Sequence, residues 1–199
     1  MRGNPSALAD GLLEAGCIKF GKFTLKSGQE SPIYIDLRRL VSHPLLLKQA
    51  AEAYLPILKR LEFDRLAALP YAALPIATLI SLAGGYPMIY PRREVKSYGT
   101  MAEIEGEYHA GERAVLIDDV TTTGGSKLEA IDRLTSAGLK VRDIVVLIDR
   151  QSGAGQVLVQ AGCCLHAVFT IHELLDHLEK TGNVKTELIN TARRFLDKK

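Results

Sequence analysis

The stretch Val115-Leu116-Ile117-Asp118-Asp119-Val120-Thr121-Thr122-Thr123-Gly124-Gly125-Ser126 decides how the rest of the chain is read. An apolar run from Ala114 to Ile117 ends in two adjacent carboxylates, and a hydroxyl- and glycine-rich turn follows. Leu128, Ile131 and Leu134 then fall on one helical face. That order predicts a buried parallel strand, a loop and a helix, with the loop at the carboxyl edge of an α/β sheet, where ligands of such sheets bind. Gly124 and Gly125 let backbone N–H groups close on an anion, neighbouring hydroxyls add donors, and the helix starts with its positive end toward that anion. Carboxylates beside such a cradle would repel a phosphate. Asp118 and Asp119 are therefore read as facing ribose hydroxyls or a magnesium ion. The sequence holds neither a G-x-x-x-x-G-K-[ST] loop nor a G-x-G-x-x-G fingerprint, which removes the two commonest nucleotide motifs.

Composition narrows the class. With 199 residues, 47% hydrophobic and 24% charged, the chain fits one globular domain of ordinary size. A net charge of +2, spread along the chain, gives no ground for a nucleic-acid partner. Asp10 and Glu14 interrupt the start, so no signal peptide is expected there, and no apolar run approaches the ~20 residues that span a bilayer. Three cysteines, two of them adjacent at Cys163 and Cys164, form neither a disulfide framework nor a metal-ligand spacing. Reduced, buried thiols in a cytoplasmic protein are expected.

No repeat or linker interrupts the chain, so residues 1–199 read as a single domain. Residues 1–40 differ from the rest. A short helix from Ser6 to Ala15 is stopped by Gly16, and strands at 17–20 and 31–36 flank the turn Lys26-Ser27-Gly28. This is expected to form a small hood. Ser42 and Pro44 open an amphipathic helix through Arg60, with Leu47, Ala50, Ala51, Tyr54, Leu55 and Leu58 on its apolar side. Strands at 66–69, 88–90, 114–118, 144–148 and 165–170 then alternate with helices at 75–83, 126–137, 155–161 and 171–180. A last helix lies near 184–196. Alternation of this kind argues a mostly parallel twisted sheet flanked by helices, with right-handed crossovers.

Three further stretches fall at the same sheet edge. Pro70-Tyr71-Ala72-Ala73-Leu74-Pro75 reads either as a plain Pro-bounded turn or as a second anion nest before a helix. Arg92-Arg93-Glu94-Val95-Lys96-Ser97-Tyr98-Gly99-Thr100 opens a polar stretch reaching about Gly111, which is either a solvated ribbon or a lid carrying cations onto a polyanion. Arg150, just past a strand, is either a surface ion pair or a carboxylate receptor. One tempting signal fails. His172-Glu173-Leu174-Leu175-Asp176-His177 spaces its histidines five apart rather than four, turning them about 140° from each other on a helix.

Taken together these segments resemble the orotate branch of the type I phosphoribosyltransferases over nearly the whole chain. The most specific pieces are Lys19-Phe20-Gly21-Lys22-Phe23-Thr24-Leu25-Lys26-Ser27-Gly28 with Ser31-Pro32-Ile33-Tyr34, the stretch 92–99, the acidic phosphate loop, and Asp149-Arg150-Gln151. The resemblance implies transfer of a phosphoribosyl group from phosphoribosyl pyrophosphate (PRPP) to orotate in pyrimidine synthesis. It implies that Lys26 and Tyr34 line a hood over the base, and that Tyr71 and Ala72 sit in a pyrophosphate loop. Arg92, Arg93 and Lys96 would bind pyrophosphate, beside Tyr98, from a lid shared across a homodimer. Asp118, Asp119, Lys96 and Lys26 are the implied catalytic set. Val120, Thr121, Thr122, Thr123, Gly124, Gly125 and Ser126 would cradle the 5'-phosphate, and Arg150 would take the orotate carboxylate. Magnesium would be held mainly by PRPP, through water to Asp118 and Asp119, with no direct protein ligand. Relatives often carry His where Tyr98 stands and paired aromatics where this chain has Tyr34-Ile35.

A transferase for another base is argued against by Arg150 and the Lys26 hood, because a neutral base needs no carboxylate partner. A PRPP-sensing regulator would be expected to add a DNA-binding segment, and no helix-turn-helix precedes Lys19. The sequence is also too short for a fused decarboxylase barrel.

Overall fold

The computed structural model describes residues 5–25, 28–93 and 103–197. Helix α1 (Pro5–Glu14) leads into an antiparallel hairpin of β1 (Ile18–Thr24) and β2 (Glu30–Ile35), which forms a sheet of its own. A 3-10 turn (Leu37–Ser42) precedes α2 (Pro44–Leu58), whose first helical position is taken by Pro44. Then come β3 (Arg65–Ala68), α3 (Ala73–Gly84), β4 (Met88–Pro91), β5 (Ile104–Glu105), β6 (Arg113–Thr121), α4 (Gly125–Ser136) and β7 (Lys140–Asp149). The chain finishes with α5 (Ala154–Gln160), β8 (Cys164–Thr170), α6 (Ile171–Lys180) and α7 (Thr186–Leu196).

The main sheet runs β5-β4-β3-β6-β7-β8, with every described pairing parallel except β4 with β5. Strand β6, which carries the acidic motif, lies in the middle between β3 and β7. Its apolar run is continuous because both of its faces are covered. Side chains alternate across the sheet. Val115, Ile117, Val145 and Leu147 join the core built on α1, α2, α3, α6 and α7. Ala114, Leu116, Ile144 and Val146 join Ala130, Ile131 and Leu134 of α4 and Leu158 of α5 in a second core on the opposite face. On α2, Ala50, Ala51, Tyr54 and Leu58 are buried, with Leu47 and Leu55 at the margin. A capping box sets the tight turn into α6: Thr170 Oγ1 accepts from the Glu173 amide at 3.2 Å, and Glu173 Oε2 accepts from the Thr170 amide at 2.8 Å.

The mostly parallel sheet and most elements follow the sequence reading, and the differences have causes. Cys17 and Cys163 are buried as expected, whereas Cys164, the first residue of β8 at the edge of the sheet, is exposed. Strand β6 continues past Asp118 to Thr121, because β7 runs beside it to the pairing Thr121↔Asp149. Ladder hydrogen bonds thus hold in extended form polar residues that propensity alone assigns to a loop. Strand β5 was not expected: its two residues are too few to show alternation. His172 and His177 turn to separate partners, Asp197 at 3.4 Å and Asp10 at 2.9 Å. Lys26, Ser27 and the stretch 94–102, which includes Lys96 and Tyr98, lie outside the described residues.

Candidate active site

The carboxyl edge of the sheet gathers three of the stretches singled out above, together with Arg92 and Arg93 at the start of a fourth. At the end of β6 the two aspartates are not equivalent. Strand alternation turns Asp118 toward α4, where the Lys127 ammonium meets its Oδ2 at 2.5 Å. Asp118 Oδ1 accepts the Asp119 amide at 2.9 Å, and the Asp118 carbonyl accepts the buried Tyr54 hydroxyl of α2 at 2.8 Å. Asp119 has no cationic partner of its own among the described residues. Burial, and next the Asp118 charge beside it, push the Asp119 carboxyl up to about 7. The Tyr54 hydroxyl is likewise held well above its usual range, by burial and then by the Asp119 and Asp118 charges.

The loop that follows is built to approach an anion closely. Gly124 caps α4 with φ +87, a backbone state that side chains other than glycine's enter at a cost. Its carbonyl accepts the amides of Lys127 and Leu128 at 2.9 and 3.1 Å, closing the first turn. Thr122, Thr123, Gly125 and Ser126 are exposed around the start of α4, whereas Thr121 is buried with its hydroxyl lacking a partner.

Arg150 stands beside this loop, and its amide donates to the Thr121 carbonyl at 3.1 Å. Asp149 Oδ1 accepts the Gln151 amide at 2.8 Å, and Gln151 takes φ +51, so the chain doubles back immediately after the arginine. The Nε and Nη2 atoms of Arg150 are buried without a hydrogen-bond partner among the described residues. Burial lowers the affinity of this guanidinium for its proton.

The third loop contains a cis Pro70–Tyr71 peptide, with Ala72 at the N-cap of α3. The Tyr71 ring is 60% exposed, and the Arg93 guanidinium lies 5.5 Å from its centroid. Beside them a cleft of about 570 Å³ is lined by Pro70, Arg92, Arg93, Ser126 and Arg133. Sequence reasoning treated the two arginines alike, and the structure separates them. Arg92 is ion-paired with Glu105 on β5, and its carbonyl accepts from Arg133 at 2.6 Å. Arg93 has no ion-pair partner among the described residues. In the hairpin, Tyr34 stacks on Phe23 with ring centroids 5.4 Å apart and touches Arg38 at 3.3 Å.

The comparison with known proteins fits this geometry. Residues 90–180 match the model of the phosphoribosyl transferase domain. Orotate phosphoribosyltransferase of Thermococcus gammatolerans is 40% identical over 174 residues, which are 86% of this chain and 92% of that protein. The chain belongs to the orotate phosphoribosyltransferase family. Two solved structures agree in fold with this family member. Orotate phosphoribosyltransferase from Aeropyrum pernix has a TM-score of 0.76 at 35% identity, covering 89% of this chain and 99% of that one. UMP synthase of Leishmania donovani has a TM-score of 0.91 at 47% identity, covering all of this chain and 43% of that one. The chain spans only 37% and 40% of the length of two longer curated relatives.

Against the family's loops, the residues that sequence reasoning missed are Lys127, Tyr54 as a partner of the site, and Phe23. Lys127 carried a usable signal. It shares the i, i+3, i+4, i+7 stripe of Ala130, Ile131 and Leu134, and an amphipathic helix puts no cation there without a reason.

Proposed function

We propose that the chain transfers the 5-phosphoribosyl group of PRPP to orotate, giving orotidine 5'-phosphate and pyrophosphate in pyrimidine nucleotide synthesis. The observation that carries this reading is a half-buried arginine with two buried nitrogens unpartnered among the described residues, hydrogen-bonded through its backbone to the strand that feeds a glycine-rich loop. Such a guanidinium suits a planar carboxylate through two parallel hydrogen bonds. Orotate carries that carboxylate, whereas uracil and the purine bases do not.

In this reading Thr122 to Ser126 hold the 5'-phosphate at the start of α4, and Asp119 takes the ribose hydroxyls. Arg93, the backbone at Tyr71 and Ala72, and Lys96 of the lid hold the pyrophosphate, while Arg92 stays paired with Glu105. Lys26 and Tyr34 cover the base, beside Tyr98. As the bond between C1' and pyrophosphate lengthens, positive charge grows on the ribose and negative charge on the leaving group. Preorganised cations stabilise the second while Asp119 tolerates the first. One lysine about 4 Å from a phosphate oxygen contributes up to ~4 kcal/mol at an effective dielectric near 20. A magnesium ion fits the donor set through Asp119, a half-buried carboxylate without a cation of its own among the described residues, and when bound with PRPP it would neutralise leaving-group charge. No described helix is long and apolar enough to cross a membrane. The proposed setting is cytoplasmic, with no nucleic-acid partner.

The test is consumption of orotate, with release of pyrophosphate, by the purified protein with PRPP and magnesium. Orotate is expected to be consumed mole for mole with PRPP. Turnover of uracil or a purine in its place would overturn the reading. The proposed homodimer shares its lid in trans, and refolding Lys96→Ala with Asp119→Asn in equal amounts tests that. About a quarter of all sites should then be intact, from two-fold symmetry and random pairing. Activity at the mutant background, with mixed dimers confirmed by mass spectrometry, would mean that each lid serves its own subunit.

A further inference from the structure

The buried ammonium of Lys127 is left over when the phosphate loop, the acidic pair and Arg150 have been given roles. Lys127 is 3% exposed and Asp118 8%. The Nζ atom lies 2.5 Å from Asp118 Oδ2 and donates to the Val120 carbonyl at 2.6 Å. It thus binds the strand end on both sides of Asp119. Every oxygen of Asp118 has a protein donor: Lys127 on Oδ2, the Asp119 amide on Oδ1 and Tyr54 on the carbonyl. A buried ion pair is a poor way to add stability, since an apolar side chain of similar length does as well in such a stripe. What the ammonium changes is charge beside a phosphate site: the acidic pair counts as one net negative charge instead of two.

We infer that Lys127 is a positioning residue that withdraws Asp118 from ligand binding and leaves Asp119 as the single free carboxylate toward ribose and cation. The inference rests on the phosphoribosyl-transfer reading only for the identity of the ligand. Without the ammonium, two uncompensated carboxylates stand against the phosphates of PRPP. The same pair would attract a divalent cation in the absence of substrate.

The experiment uses the full chain with Lys127→Met, which keeps the length of the side chain and removes its charge, and the double variant Lys127→Met/Asp118→Asn. Calorimetry with magnesium alone should show weak binding to the parent and at least about tenfold tighter binding to Lys127→Met. The KM for PRPP should rise by about tenfold with a smaller change in kcat, as repulsion of a bound anion requires. The double variant should return both quantities toward the parent. Unchanged magnesium binding and KM in Lys127→Met, or a double variant no better than the single, would reduce Lys127 to a staple on the Val120 carbonyl. Should Lys127→Met not fold, Asp118→Asn decides. Its KM for PRPP should rise far less than that of Asp119→Asn, and an equal rise would mean that Asp118 touches ribose. A parent that fails to consume orotate would sink the transferase reading, while the magnesium titration still judges Lys127.

Discussion

The two ends of the central strands treat charge in opposite ways. At the amino end Arg65 holds Glu112 through both oxygens, at 2.8 and 2.7 Å, and the His109 amide adds a third bond at 2.9 Å. Arg113 reaches Glu62 at 2.7 Å, while its amide donates to Asp64 at 2.8 Å. At the carboxyl end, a few residues along the same strands, Arg150 keeps two buried nitrogens unpartnered, Thr121 a buried hydroxyl, and Asp119 a carboxylate without its own cation. Native structures leave few buried polar groups unsatisfied. A ligand in the proposed site would complete the hydrogen bonding of those at the carboxyl end, whereas the pairs at the other end satisfy one another.

The sharpest way to break this contrast is Arg150→Ala. Removing the charged partner of a buried carboxylate should cost roughly 2–4 kcal/mol in kcat/KM for orotate, or about 30- to 900-fold. PRPP binding, followed by calorimetry, should stay near that of the parent. A variant that consumes orotate at the parental rate would show that the unpartnered guanidinium serves nothing in the site.

Stability against pH separates the two ends next. The folded protein holds the Asp119 proton above the carboxyl's ordinary 3.8, up to about 7. The native state therefore binds more protons than the unfolded one in that window, and stability from this group falls as pH rises through it. Asp119→Asn should flatten that decline in melting temperature between about pH 4 and 7. A decline equally steep in the variant would move the cause elsewhere.

Glu112 has the opposite sign. The Arg65 guanidinium, and next the His109 amide, hold its carboxyl down from 4.5 to about 2. Its contribution is present above pH 4.5 and lost as pH falls through about 2. Glu112→Gln should soften the acid limb of the melting curve and leave kcat/KM within about twofold of the parent, since this half-buried pair lies at the end of the strands away from the proposed site. A larger loss of activity would mean that the two ends are coupled.

Much of this was legible in the residues because local chemistry and tertiary context agree. The run into Asp118 and the glycines after it read as a strand and a turn into a helix, and Arg150 could be placed at the same edge by counting strands. The parts that stayed hidden depend on partners distant in the chain. Nothing near Tyr54 says that its hydroxyl will meet a carbonyl 64 positions later. Adjacent aspartates read as one pair until strand alternation sends them to opposite faces, and Arg92 and Arg93 read alike until Glu105 claims one of them. Phe23 is a residue of a β-strand until the hairpin closes and stacks it on Tyr34.

The bond from Tyr54 to Asp118 also bears on how the protein breathes. It ties the ligand end of β6 to α2, the helix on which the larger core is built. Amide protons at Val120 and Thr121 should then exchange with solvent far more slowly than those at Tyr71 and Thr122, both of which are exposed. In the proposed site the ribose contacts would thus be carried by the interior, and the phosphate contacts by exposed turns.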